Sequence, residues 1–124
     1  MKIDRGTVVQ IDLDPTLGHE RRGTRPCIVV SDPEVTEDQR FPMLCVVPIT
    51  KTPGEGALYP EIQPAGSGLR FPSTVLIDQV RSIDKRRVTR VFGGISKPDL
   101  GTVDDALAIF LGLNRYEDPT TDYA

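Results

Sequence analysis

Gly6-Thr7-Val8-Val9-Gln10-Ile11-Asp12-Leu13-Asp14-Pro15-Thr16-Leu17-Gly18-His19-Glu20-Arg21-Arg22-Gly23-Thr24-Arg25-Pro26-Cys27-Ile28-Val29-Val30-Ser31 is the stretch on which the fold turns. Thr7 to Leu13 alternates, with Val9, Ile11 and Leu13 on one face and Val8, Gln10 and Asp12 on the other, the period of two of a half-buried strand. Pro15 ends that strand, and Arg25 to Ser31 supplies a second. The two are therefore the arms of a hairpin. Its loop carries Gly18 and Gly23, which permit positive φ, and the only histidine of the chain, His19, with Glu20, Arg21, Arg22 and Arg25 close by. Loops held by rigid strands are the usual carriers of binding and catalytic groups. A solvated hairpin tip whose charges only maintain solubility is the competing reading of the same residues.

Outside the hairpin, composition narrows the field. A chain of 124 residues has the length of one domain, here expected over residues 1–113 with a polar tail at 114–124. There is no Trp, and 38% of residues are hydrophobic, so the core is aliphatic. No apolar run is long enough to cross a bilayer and Met1-Lys2-Ile3-Asp4-Arg5 has no signal-peptide character, which points to a cytoplasmic protein. Cys27 and Cys45 sit in apolar strand patterns without Cys-x-x-Cys spacing and read as buried free thiols. A single histidine and no second ligand cluster predict neither a zinc site nor any cofactor.

The net charge of -3 and pI of about 5.1 argue against a protein that coats nucleic acid non-specifically. Charge placement qualifies this. Arg21, Arg22, Arg25, Arg81, Lys85, Arg86, Arg87 and Arg90 fall in two short stretches, while Asp32, Glu34, Glu37 and Asp38 gather acid elsewhere. If folding joined the two basic stretches, an acidic protein would carry a local anion site.

Further along, Asp32 to Pro42 shows no apolar period and reads as an exposed loop. Met43 to Thr50 is apolar on both faces, as in a central strand, with Pro48 at a bulge or unpaired position. Lys51 to Gly56 reads as a turn, Leu58 to Ile62 as a weak strand, and Ser73 to Val80 and Arg87 to Phe92 as two more. Five or six short strands joined by Gly/Pro turns predict a small barrel or strongly bent sheet. Helical spacing appears only at Leu100, Val103, Leu107, Phe110 and Leu111, with Ser96 and Asp99 as a capping box, Pro98 in the first turn and Gly112 at the end. The chain is thus mainly β with a C-terminal α-helix.

Four blocks occur together: Gly6 to Pro15 followed by Gly18-His19-Glu20, then Gly23-x-Arg25-Pro26, then Val47-Pro48-Ile49-Thr50, then Asp78-Gln79-Val80-Arg81-Ser82-Ile83. Over about residues 3 to 113 this order resembles the MazF/PemK family of toxins from type II toxin-antitoxin systems. The resemblance implies an SH3-like small barrel of the MazF/CcdB type, a homodimer, and a metal-independent, sequence-specific endoribonuclease acting on single-stranded RNA. It also implies a MazE-like antitoxin whose acidic segment covers the RNA groove. Carried onto this sequence, the family's catalytic pair falls on Arg25 and Thr50. Where the PemK branch has a second arginine this chain has Leu76, so the likeness is to the MazF branch.

RNA brings its own nucleophile, the 2′-hydroxyl, so a metal-free nuclease has only to align it with the phosphate, move protons and stabilise charge on the phosphoryl oxygens. Arg25 offers a planar fork of donors suited to phosphate, and Thr50 a hydroxyl. An arginine is a poor base, which leaves His19 and Glu20 as the titratable groups of the loop, with loop ordering or base contact as their alternative roles. Asp78 and Gln79 are expected to be structural or RNA-positioning. Arg81, Arg86 and Arg87 either line the phosphate path or face water. Two other functions fit the same pattern: a CcdB-like toxin acting on a protein, and a non-catalytic RNA-binding adaptor.

Overall fold

A computed structural model of the chain describes residues 2–113; the polar tail expected over 114–124 lies outside the described residues. The elements are β1 (Thr7–Asp12), β2 (Thr24–Val29), α1 (Pro33–Glu37), β3 (Met43–Thr50), β4 (Glu61–Ile62), β5 (Ser73–Val75), β6 (Arg81–Asp84), β7 (Val88–Gly94) and α2 (Lys97–Leu111). Single 3-10 turns occupy Ile77–Gln79 and Lys85–Arg87. The strands form one antiparallel sheet in the order β4-β5-β3-β2-β1-β7, with β6 on β3 as well.

The hairpin of β1 and β2 forms as its alternation requires, with Val9 opposite Cys27 and Ile11 opposite Arg25. Val8 is as buried as Val9, because the sheet carries a core on each face. Val9, Ile11 and Leu13 join Cys27, Val29, Leu44, Val46 and Ile83 inside the curl of the sheet. Val8 joins Ile28, Val47, Ile49, Ile77 and the helix residues Val103, Ala106 and Leu107 on the other side. Register shifts between β1 and β7 flank Val9 and Gln10, the kind of irregularity that bends a sheet.

β3 is the central strand. One edge pairs with β2, while the other pairs first with β6 over Met43–Val46 and then with β5 over Ile49–Thr50. Pro48 lies at that changeover. It has no N–H for a continuing partner, and its carbonyl accepts from Leu76 N–H at 2.9 Å. The strand expected over Ser73 to Val80 is consequently broken: β5 stops at Val75, the chain turns through Ile77–Gln79, and β6 resumes pairing as a separate, unanticipated strand. The weak strand at Leu58 to Ile62 shrinks to Glu61–Ile62.

The segment Asp32 to Pro42 is not all loop. Asp32 Oδ1 accepts from Glu34 N–H at 2.8 Å and starts α1, and Lys85 Nζ donates to the carbonyls of Val35 and Asp38, both at 3.0 Å. None of its residues is buried, so no apolar period existed to reveal it. In α2, Ser96 Oγ accepts from Asp99 N–H at 3.2 Å, and Gly112 ends the helix at φ 71°. The capping box is one-sided, because Asp99 Oδ2 instead accepts from Gln63 N–H at 2.9 Å and ties the helix start to the segment after β4. Phe110 and Leu111 depart from the expected apolar face. Packing ends at Leu107, and in the last turn both are exposed. Arg5 clamps the helix to the sheet with a two-pronged pair to Asp104 and an Nε–H bond to the Val30 carbonyl at 2.9 Å.

Candidate active site

The hairpin loop is built by local bonds and then pinned by distant ones. Leu13 N–H donates to the Gly23 carbonyl at 3.0 Å and Gly23 N–H to Asp14 Oδ1 at 3.1 Å, closing the base of the loop. At the tip, Glu20 Oε1 accepts from Leu17 N–H at 2.9 Å while Glu20 N–H returns a bond to the Leu17 carbonyl at 3.1 Å. Gln79 Oε1 accepts from Arg21 N–H at 2.6 Å, holding the loop against the turn at Ile77–Gln79. In the same turn Asp78 Oδ2 accepts from the Tyr59 hydroxyl at 2.8 Å, and that bond raises the tyrosine above its ordinary pKa.

Arg25 and Thr50 come from neighbouring strands. The β2–β3 register sets Cys27 opposite Pro48 and Ile28 opposite Val47. Arg25 and Thr50 lie two residues beyond the last of these pairs on their strands, where the same register would set them opposite each other. Both line the same two clefts, of about 420 and 450 Å³. Thr50 Oγ1 accepts from Arg21 Nη2–H at 3.3 Å and from Thr52 N–H at 3.2 Å. With both lone pairs engaged, its own proton is left to be donated. Arg25 spends its Nε–H on the Arg22 carbonyl at 3.0 Å, which leaves the terminal fork for a ligand.

His19 and Glu20 line the larger of these clefts, and with Asp78, Gln79 and Arg81 a third of about 320 Å³. The two basic stretches meet in part. Arg81 Nη1 donates to the Leu13 carbonyl at 3.2 Å, and Arg87 Nη1 to the carbonyls of Asp12, at 3.2 Å, and Asp14. Both brace the stem of the hairpin. Arg86 lies apart, lines none of the three clefts and pairs with Asp84 at 3.0 Å.

The residue that sequence reasoning missed is Arg21. It lines all three clefts, contacts Thr50, and its Nε is buried without a hydrogen-bond partner. Its position in a run of arginines marked it as basic, but the loop conformation that turns it inward depends on Gln79, 58 positions away. Among the described residues Arg5, Arg40 and Arg86 pair with carboxylates, whereas Arg21, Arg22 and Arg25 do not. Such unneutralised guanidinium groups, with a hydroxyl donor between two of them, suit an anion with several oxygens.

A bent, mainly β sheet with one C-terminal helix, and clefts at its hairpin loop lined by arginines that pair with no carboxylate, defines the class. Within it, the chain belongs to the family described as the PemK-like, MazF-like toxin of type II toxin-antitoxin system, whose family model matches residues 4–111. It is 32% identical over 117 residues to the endoribonuclease MazF of Staphylococcus epidermidis, spanning 93% of this chain and 96% of that protein. The crystal structure of MazF from Deinococcus radiodurans aligns at a TM-score of 0.75 and 26% identity, over 90% of this chain and 98% of that one. A mycobacterial endoribonuclease solved with its cognate antitoxin shares the fold at a TM-score of 0.71 and 22% identity, over 89% and 95%. The expected fold class and family both hold.

Proposed function

We propose that this protein is a toxin that cuts single-stranded RNA at specific short sequences, without a metal, by attack of the ribose 2′-hydroxyl. The observation that carries this reading is the convergence of Arg25 and Thr50 on one cleft, with terminal guanidinium donors and a hydroxyl proton unspent. In the reaction the 2′-oxygen bonds to phosphorus as the P–O5′ bond breaks. The 2′-hydroxyl proton passes to a base and the departing 5′-oxygen takes one up, leaving a 2′,3′-cyclic phosphate and a 5′-hydroxyl. Arg25 and Thr50 hold the non-bridging oxygens as charge builds there. Arg21 keeps the Thr50 hydroxyl turned outward and supplies from the loop a guanidinium in the cleft that Leu76 also lines. His19 and Glu20 line that cleft, as do Glu55 and Tyr59, and of these the two loop residues are the ones assigned to proton transfer. DNA, lacking the 2′-hydroxyl, is spared.

The same reading extends to partners. The chain acts in the cytoplasm as a homodimer, and a MazE-like antitoxin silences it by laying acidic residues over the unpaired arginines. Incubating purified protein with long RNA in EDTA tests the activity. Discrete fragments bearing cyclic phosphate and 5′-hydroxyl ends are expected from the native chain and not from Arg25→Ala. Intact RNA, or 5′-phosphate ends, would overturn the mechanism.

A further inference from the structure

The 420 Å³ cleft that holds Arg25 and Thr50 at one side is lined at the other by Lys51, Arg70 and Phe71. Phe71 is 54% exposed and belongs to neither core cluster, so packing gives no reason for an aromatic ring at this place. Lys51, the residue after Thr50, carries its Nζ 5.3 Å from the centre of the ring. The ring is therefore set among cations and continuous with the phosphate site. Aromatic faces beside a positively charged groove are what unpaired bases stack on, since every base has a π-face and every link in the strand a phosphate. The cleft is at the lower end of the volumes that take one small ligand, room for about one nucleotide.

We propose that Phe71, flanked by Lys51 and Arg70, stacks the nucleobase next to the scissile phosphate and so helps to choose which RNA sites are cut. This subsite rests on the ribonuclease reading and adds to it a residue that determines specificity. Lys51 and Arg70 take the neighbouring phosphates, and Phe71 takes the base. Because the ring is exposed, its replacement leaves the core intact.

Two measurements on Phe71→Ala, Phe71→Leu and Phe71→Trp separate this proposal from the activity itself. In the first, cleavage of a long RNA is followed with sites mapped. Phe71→Ala and Phe71→Leu should lower kcat/KM by about ten- to a hundredfold, mainly through KM, and relax the base preference at one position beside the cut. Phe71→Trp should restore both. In the second, binding of 2′-O-methyl oligonucleotides, which lack the nucleophile, is read by anisotropy. The native chain should bind them about tenfold or more tightly than Phe71→Leu. If the native chain bound these oligonucleotides with that difference but cut no RNA, base stacking on Phe71 would stand, while the nuclease reading and with it the role of Phe71 in choosing cut sites would fall. If Phe71→Leu matched the native chain in binding, rate and preference, or if no oligonucleotide bound, the subsite would fall.

Discussion

At the scale of single residues, the site works through donors that other contacts leave free. Thr50→Val removes the hydroxyl while keeping the β-branched shape that suits the strand end, so kcat should fall about 10²–10³-fold with the melting temperature little changed. Thr50→Ser should keep much of the rate. Equal loss in both would assign Thr50 a packing role. The thiols behave in the opposite way. Burial pushes the Cys27 thiol from its ordinary value of 9.0 to about 12, and raises Cys45 as well. Cys27 should therefore resist a thiol reagent at pH 8 until the protein unfolds, whereas the partly buried Cys45 should react, more slowly than a free thiol. The sign follows from linkage: the neutral Cys27 thiol supports the fold fully below pH 9, and that support is lost as pH rises toward 12. Denaturant midpoints should drop over that window, and less in Cys27→Ala after allowing for its lower baseline.

At the scale of elements, the short turns and glycines set where strands and helices stop. A Cβ at Gly93 in β7 would lie 2.5 Å from the Gly66 carbonyl oxygen and 2.9 Å from the Ser67 carbonyl carbon. Gly93→Ala must push β7 off the turn at 64–68 and should cost about 1–3 kcal/mol in urea unfolding. Gly101→Ala, which meets nothing within 4 Å, is the control. Asp84 starts the turn at Lys85–Arg87 by accepting from Arg86 N–H at 2.8 Å, and the Arg86 side chain holds its carboxyl down to about 2. Its contribution is present above the ordinary carboxylate value of 3.8 and is lost as pH falls toward 2, so Asp84→Asn should flatten the acid limb of stability. Gln79 is the pin between the hairpin loop and the core. Gln79→Leu should speed amide exchange across residues 17–22 and lower kcat/KM while Arg25 and Thr50 stay in place.

At the scale of the whole molecule, a chain with net charge -3 has to attract a polyanion by a local field. Few phosphates are engaged in that case. The logarithm of RNA affinity should fall with that of salt at a slope of about -0.7 per phosphate contacted. Two or three contacts predict a slope of about -1.4 to -2.1, and Arg25→Ala should reduce it by about one contact. A slope several times steeper would mean that a wide basic surface binds the RNA. Light scattering on the native chain should give roughly twice its 13.7 kDa mass if the homodimer forms.

The hairpin, the central strand and the terminal helix were all written in the sequence, because each has one dominant period or cap: alternation in Thr7 to Leu13, unbroken apolarity in Met43 to Thr50, and Ser96 with Gly112 around helical spacing. The candidate pair Arg25 and Thr50 came from family blocks, since residue type alone cannot tell a phosphate donor from an edge-strand side chain. Tertiary structure decided the rest through contacts between residues far apart in the chain. The partner change at Pro48 cut the strand expected over Ser73 to Val80 short at Val75 and left Arg81–Asp84 to pair separately as β6, Lys85 capped a helix that buries nothing, packing stopped at Leu107 before the apolar pattern did, and Gln79 turned Arg21 inward. Periodicity records which face of an element is buried, whereas the partner a lone polar group finds is set only when the chain closes on itself.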